Sequence, residues 1–226
     1  MARTNKKVRL LSMNNSWLVV TAFGDSGFLL PAAFWIAIWL GSNPSTRPAA
    51  VHWVLLFGGC GLVVMISKLA FLGWGIGSAR FDFTGFSGHT ALATGLWPVI
   101  FWLAAQRASP AVRLAAVTAG CGWAVLVGTS RLALEAHSTT EVVTGTFLGL
   151  MASAGFLWLH RARAIPAPAP SWLAAGLAVP LVFFLVGRPA PTQGALEALA
   201  KWMAGIERPY TRLDLRQLRE PPRRRA

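Results

Sequence analysis

Three clusters of polar residues interrupt an otherwise apolar sequence, and their side chains are those of a phosphate site. Ser87-Gly88-His89 opens one apolar run. Ser130-Arg131 is followed after five residues by His137 and, after three more, by Glu141. Lys68 lies near the end of another run, with Arg80 twelve residues later. An ionisable residue at membrane depth costs about 2.5–3.5 kcal/mol on insertion scales, so charges beside apolar runs are functional candidates.

Lys68, Arg80 and Arg131 are permanent cations with few acids nearby, which is what a phosphate dianion requires. Ser87-Gly88-His89 directly precedes an expected helix, so free backbone N–H groups and the positive helix end can hold phosphate oxygens. His137 and Glu141 stand four apart at the expected start of another helix, hence on one face. A carboxylate there can accept the Nδ1 proton of His137 and leave Nε2 as a nucleophile. His89 is then free to protonate the leaving oxygen. With only 8 acids in the chain, a carboxylate cage for two metal ions is not expected. Neither a metal nor a cofactor is implied.

Ser-Gly-His followed by Ser-Arg-x5-His-x3-acid, with two apolar helices between, resembles the type 2 phosphatidic acid phosphatase family. Its signature is Lys-x6-Arg-Pro, then Pro-Ser-Gly-His, then Ser-Arg-x5-His-x3-Asp, and its site extends to vanadium haloperoxidases. Family members are helical membrane phosphatases acting on lipid phosphates or pyrophosphates. The resemblance covers Lys68–Glu141. It implies that His137 attacks phosphorus to form a phosphohistidine, and that His89 protonates the leaving group and later activates water. It further implies that Ser87, Gly88, Arg131 and Lys68 bind phosphate, and that Glu141 orients the nucleophile.

Three departures stand out. Phe86 replaces a proline, which alters loop stiffness more than chemistry. Glu141 replaces aspartate, adding one methylene at the same charge. Lys68 and Arg80 have eleven intervening residues and Phe81 follows Arg80. Either that loop is enlarged or Lys68 is not the ligand. Arg188-Pro189 mimics the missing end but follows the last apolar run and reads as a decoy.

The elements that must position these residues are apolar and helical. Charged residues make up 13% of the chain, half of the roughly 25% usual in soluble domains. Mean hydropathy is +0.52. Five stretches approach the ~20 residues needed to cross a bilayer: Gly27–Leu40 (extending back towards Trp17), Val51–Leu72, Thr90–Ala105, Leu114–Thr129 and Val142–Leu159. A sixth, Trp172–Val186, is short but uncharged. The expected fold is an all-α polytopic transmembrane bundle of about five to six spans. Residues 1–190 read as the transmembrane phosphatase domain, and 191–226 as a basic tail with an amphipathic surface helix over Ala195–Ile206 and little order beyond. The glycines of Gly73–Gly77 are not a dinucleotide fingerprint, because the third glycine is misplaced and no strand–helix–strand unit surrounds them. They serve close backbone approach or tight turns.

The net charge of +13 does not mark a nucleic-acid binder. Its basic residues collect at Arg3–Arg9, in short gaps and at Arg223–Arg225, next to apolar spans, where anionic lipid headgroups are the better partner. Arg47, Arg107, Arg113, Arg161 and Arg163 fill the gaps opposite the proposed site. By the positive-inside rule those gaps are cytoplasmic and the site faces outward, the side the family resemblance also implies, and the expected location is a bacterial inner membrane. Five full spans would put both basic termini outside, against the same rule. The first run carries no cleavage pattern and reads as retained.

Several polar residues have plainer readings. Asp25 is expected to cap the first helix, Asp82 to hold Arg80 in place, and Glu135 to face water. His52 and His160 read as interfacial residues, and Cys60 and Cys121 as packing residues. The leading function is metal-independent hydrolysis of a lipid phosphomonoester or pyrophosphate. A lipid phosphotransferase would use the same residues, whereas a carrier of anionic lipid or an architectural membrane protein would not need the histidines. Neither the particular lipid nor the oligomeric state is encoded in these motifs.

Overall fold

The computed structural model describes residues 16–162 and 192–217, with scattered positions between 165 and 182. Most of the sixth run, Arg188-Pro189, the basic N-terminus and the Arg223–Arg225 end lie outside the described residues. Everything described is helix or connection; one isolated antiparallel bridge joins Ser78 to Phe83.

A short helix over 16–22 turns at Phe23-Gly24 into α1 (Ser26–Ser42). Then come α2 (Arg47–Trp74), α3 (Gly88–Ala104), α4 (Pro110–Ala133), α5 (Thr139–His160), α6 (Thr192–Ala204) and α7 (Arg212–Gln217). Four segments are long and apolar enough to cross a membrane: Ser16–Ser42, Pro44–Trp74, Pro110–Ala133 and Thr139–His160. At 17 residues, α3 is shorter than all four, yet it is the core of the bundle. Its Thr90–Val99 stretch is buried without interruption, because α4 and α5 close on it through glycines. A Cβ on Gly149 of α5 would lie 2.2 Å from the Ala91 carbonyl oxygen, and one on Gly120 of α4 would lie 2.8 Å from Pro98 Cα. Close backbone approach through small residues is how helices associate where lipid removes the hydrophobic drive. Large apolar side chains such as Phe34, Leu114 and Phe147 are instead exposed on the outside, as a lipid-facing surface requires.

Side-chain caps fix the starts of α1 and α5. Asp25 caps α1 by accepting the Gly27 N–H at 2.7 Å, as expected. Ser138 and Glu141 form a reciprocal capping box at α5. Alternating helix directions bring the starts of α1, α3 and α5 together with the ends of α2 and α4. All the clustered polar residues except Arg80 therefore meet at one end of the bundle. The other end holds His52 and His160, whose Nδ1 and Nε2 are 3.2 Å apart. His160 is not an interfacial side chain as expected: it is 1% exposed and packs on Phe156.

The C-terminal segment also departs from expectation, since it is ordered through Gln217. Helix α6 lies along α2. Beyond it the Tyr210 N–H donates to the Leu72 carbonyl at 2.9 Å, and Leu215 is buried with Leu69, Phe71, Leu72 and Ala200. Gly73 leaves room for Ala204, and Gly75 (φ 66°) lies against the Tyr210 ring. The glycine-rich loop is thus the seat of this segment.

Candidate active site

A cavity of about 1910 Å³ opens at the polar end and runs between α1 and α2. Asp25, Lys68, His89, Arg131, His137 and Arg212 line its polar part, and Leu30, Pro31, Phe57, Leu62 and Met65 are among its apolar walls.

His137 sits in the loop before α5, and its Nδ1 is 2.7 Å from Glu141 Oε2. Glu141 has no exposed surface. Its Oε1 accepts the Thr84 N–H at 2.7 Å and the Thr84 hydroxyl at 2.5 Å, and its Oε2 accepts the Ser138 N–H at 3.2 Å. A buried carboxylate needs this many donors to remain charged. An ionised carboxylate only accepts, so Nδ1 carries the proton and Nε2 keeps a lone pair. Burial holds the His137 pKa below the ordinary 6.5; the Glu141 contact opposes this, and the Lys68 and Arg131 charges reinforce it.

His89 lies in the first turn of α3, across the cavity. Its Nε2 is 3.7 Å from Asp25 Oδ2, so the carboxyl that caps α1 also faces the second histidine. Gly24 makes this approach possible, since a Cβ there would meet Val127 at 2.4 Å and His89 at 3.2 Å.

Lys68 reaches the cavity despite the altered spacing. The Phe86 N–H donates to Ser67 Oγ at 3.2 Å, and Gly85 (φ 135°) lies against Lys68. The loop is enlarged, and its return strand is clipped to α2 beside the lysine. Arg131, at the end of α4, donates to Thr21 Oγ1 at 2.7 Å, while its buried Nε has no hydrogen-bond partner among the described residues. Gly88 lines the cavity. Ser87 is fully buried, with its hydroxyl 2.9 Å from Thr90 Oγ1 and its N–H donating to the Glu141 carbonyl at 3.1 Å.

Arg80 is not brought to this site. Ser78 and Phe83 exchange two backbone hydrogen bonds of 2.9 Å, making a tight turn. Arg80 points outward from its tip and stacks over Phe81, 5.4 Å from the ring centroid. The sequence leads one to expect Asp82 to hold Arg80, but Asp82 pairs instead with Arg212 at 2.8 Å. Arg212 was invisible to sequence reasoning: it lies 71 residues beyond Glu141 in a segment with many arginines and no motif around it. Thr84 likewise had no signal beyond its closeness to Ser87.

Residues 24–165 match the PAP2 superfamily, more than half of the chain, and the chain belongs to that superfamily. Its members are phosphatases, and the activity this membership carries is hydrolysis of a phosphate ester by a membrane protein. The chain is also 43% identical over 203 residues to a Klebsiella pneumoniae protein named "Uncharacterized 22.5 kDa protein in cps region". That alignment covers 88% of this chain and 97% of the relative. No solved structure matches.

Proposed function

We propose that this protein hydrolyses a lipid phosphate by double displacement through a phosphohistidine on His137. The observation that carries the reading is the His137–Glu141 pair. Nδ1 is held at 2.7 Å by a buried carboxylate, and the imidazole stands in the wall of a cavity that also presents Lys68 and Arg131. Nε2 attacks phosphorus as the phosphorus–oxygen bond to the lipid breaks. His89 gives its proton to the departing oxygen. The same imidazole then takes a proton from water, which attacks the phosphohistidine, releases phosphate and frees His137.

Lys68, Arg131 and the N–H groups at the start of α3, with Gly88, would hold the phosphoryl oxygens. Ser87, expected from the sequence to bind phosphate, is instead buried with its hydroxyl on Thr90 and its N–H on the Glu141 carbonyl, and supports the loop. The apolar walls between α1 and α2 favour a substrate whose chain remains in lipid. Charge compensation by these cations makes a metal-independent reaction the natural one. We place the site on the outward side of a bacterial inner membrane, because Arg47, Arg107, Arg113 and Arg161 gather at the opposite end.

The test is phosphate release by detergent-purified protein in excess EDTA, across lipid monophosphates and pyrophosphates, beside His137→Ala. Release that survives EDTA and vanishes in the variant is expected. No release from any lipid by folded protein would count against hydrolysis.

A further inference from the structure

Arg212 comes to the catalytic end on the C-terminal segment and grips Glu141. Its Nη2 donates to both Glu141 oxygens, at 2.8 and 2.7 Å, and to Thr84 Oγ1 at 3.3 Å. Its Nη1 donates to the Asp82 carbonyl at 2.9 Å and pairs with the Asp82 carboxylate at 2.8 Å. Both terminal nitrogens are thus engaged by protein groups behind the nucleophile. Glu141 Oε2 is shared, lying 2.7 Å from Arg212 on one side and 2.7 Å from His137 on the other.

The segment carrying Arg212 is built for fixed placement. Asp214 accepts two bonds from Arg208, at 3.1 and 3.0 Å, and accepts the Thr211 N–H at 2.8 Å, capping α7 immediately before Arg212. The Tyr210 N–H bond to Leu72 and the buried Leu215 anchor the two sides of the arginine to α2.

We propose that Arg212 is a positioning residue that locks Glu141 in place and so aims Nε2 of His137 at the substrate. The C-terminal segment is then a working part of the active site. This rests on the phosphohistidine reading. A glutamate has one more torsion than an aspartate, and the guanidinium ties it down by bridging two acids, with Nη2 against both Glu141 oxygens and Nη1 on Asp82. The guanidinium also repels an imidazolium across the shared oxygen, adding to Lys68 and Arg131 against the attraction of Glu141. His89 and Asp25 face the same cavity, and Asp82 lies behind the arginine.

The test uses full-length protein in detergent and the variants Arg212→Gln, Arg212→Lys and Arg216→Gln. Arg216 is on the same helix and reaches the same Asp82, at 3.5 Å. Two readouts are taken: kcat and KM on a lipid phosphate, and the titration of His137 by NMR of 15N-histidine, assigned through His137→Gln. In Arg212→Gln, kcat should fall at least about tenfold with KM within about threefold, the pattern of a lost transition-state contribution. The His137 midpoint should rise by about half a pH unit or more, because a nearby cation has been removed. Arg212→Lys should restore the midpoint but not the full kcat, since one ammonium cannot span Glu141 and Asp82 as the two terminal nitrogens of a guanidinium do. Arg216→Gln should change neither.

A KM increase with kcat unchanged would overturn the proposal, because Arg212 would then be gripping substrate. So would an unmoved midpoint, or an equal shift in Arg216→Gln. If the wild type releases no phosphate, the hydrolytic reading falls while the midpoint shift still decides the positioning role. If Arg212→Gln does not fold, a normal kcat in Arg212→Lys overturns the proposal and a reduced one supports it.

Discussion

Nδ1 of His137 and Oε2 of Glu141 stand 2.7 Å apart, with the carboxylate wholly buried and the imidazole in the cavity wall. One proton lies between them, and the second ring nitrogen is left for chemistry. The Thr84, Ser138 and Arg212 donors hold the carboxylate independently of the histidine. Replacing it should therefore alter the tautomer and aim of His137 more than the fold.

Glu141→Gln tests this. The amide is isosteric but can present an N–H to Nδ1, favouring the wrong tautomer. Phosphate release should drop by about 100- to 10,000-fold, as for the corresponding change in hydrolytic triads. Retention of more than a tenth of wild-type kcat in steady-state assays would show that the pair is structural.

The protonation of His137 gives a pH prediction. Burial lowers its pKa from 6.5, and Lys68 and Arg131 act in the same direction against Glu141. A lowered histidine pKa means the neutral, nucleophilic form persists as pH falls through 6.5 and is lost only below it. The NMR titration midpoint of His137 in substrate-free protein should lie below 6.5. A midpoint above that value would mean Glu141 outweighs burial and the two cations.

Lys68 and Arg80 separate two readings of the altered first motif. Lys68 lines the cavity, whereas Arg80 stacks over Phe81 on the outside. Lys68→Ala should cost about 1.5–3 kcal/mol of transition-state binding, or roughly 10- to 150-fold in kcat/KM. Arg80→Ala should stay within about twofold, as surface substitutions do. The reverse ranking would mean that the 78–83 turn folds inward when substrate binds.

Helix packing and chemistry are linked through Gly149. Its missing Cβ would be 2.2 Å from the Ala91 carbonyl oxygen, so Gly149→Ala must push α5 away from α3. Overpacking of this kind costs about 1–3 kcal/mol, and Glu141 rides on the displaced helix. Both detergent unfolding temperature and activity should fall. A variant as stable as the wild type would show that the two helices separate freely.

Much of this site was legible because its residues are local. Ser87-Gly88-His89 and the His137–Glu141 pair are each set by a helix start, and helix starts follow from capping residues and the onset of apolar runs. The antiparallel order of the runs then placed both histidines at one end. Lys68 needed only the end of α2. What sequence could not show was produced by long-range packing. The outward turn of Arg80 depends on the pairing of Ser78 with Phe83. Arg212 depends on a tail docking through Tyr210 and Leu215, where the abundance of arginine hid the one that mattered. Asp25 is the cap its sequence position suggests, but its second oxygen faces His89 because Gly24 admits the close turn.

The phosphoenzyme is the most direct test of the central claim. A 32P-labelled aryl phosphate, whose leaving group departs without protonation, would be mixed with wild type, His89→Gln and His137→Gln and quenched in alkali. Acid-labile, alkali-stable label should appear on His137 and accumulate in His89→Gln, where water is no longer activated. His137→Gln should carry none. Phosphate turnover by the wild type with no label on His137, or equal label in His137→Gln, would contradict the mechanism.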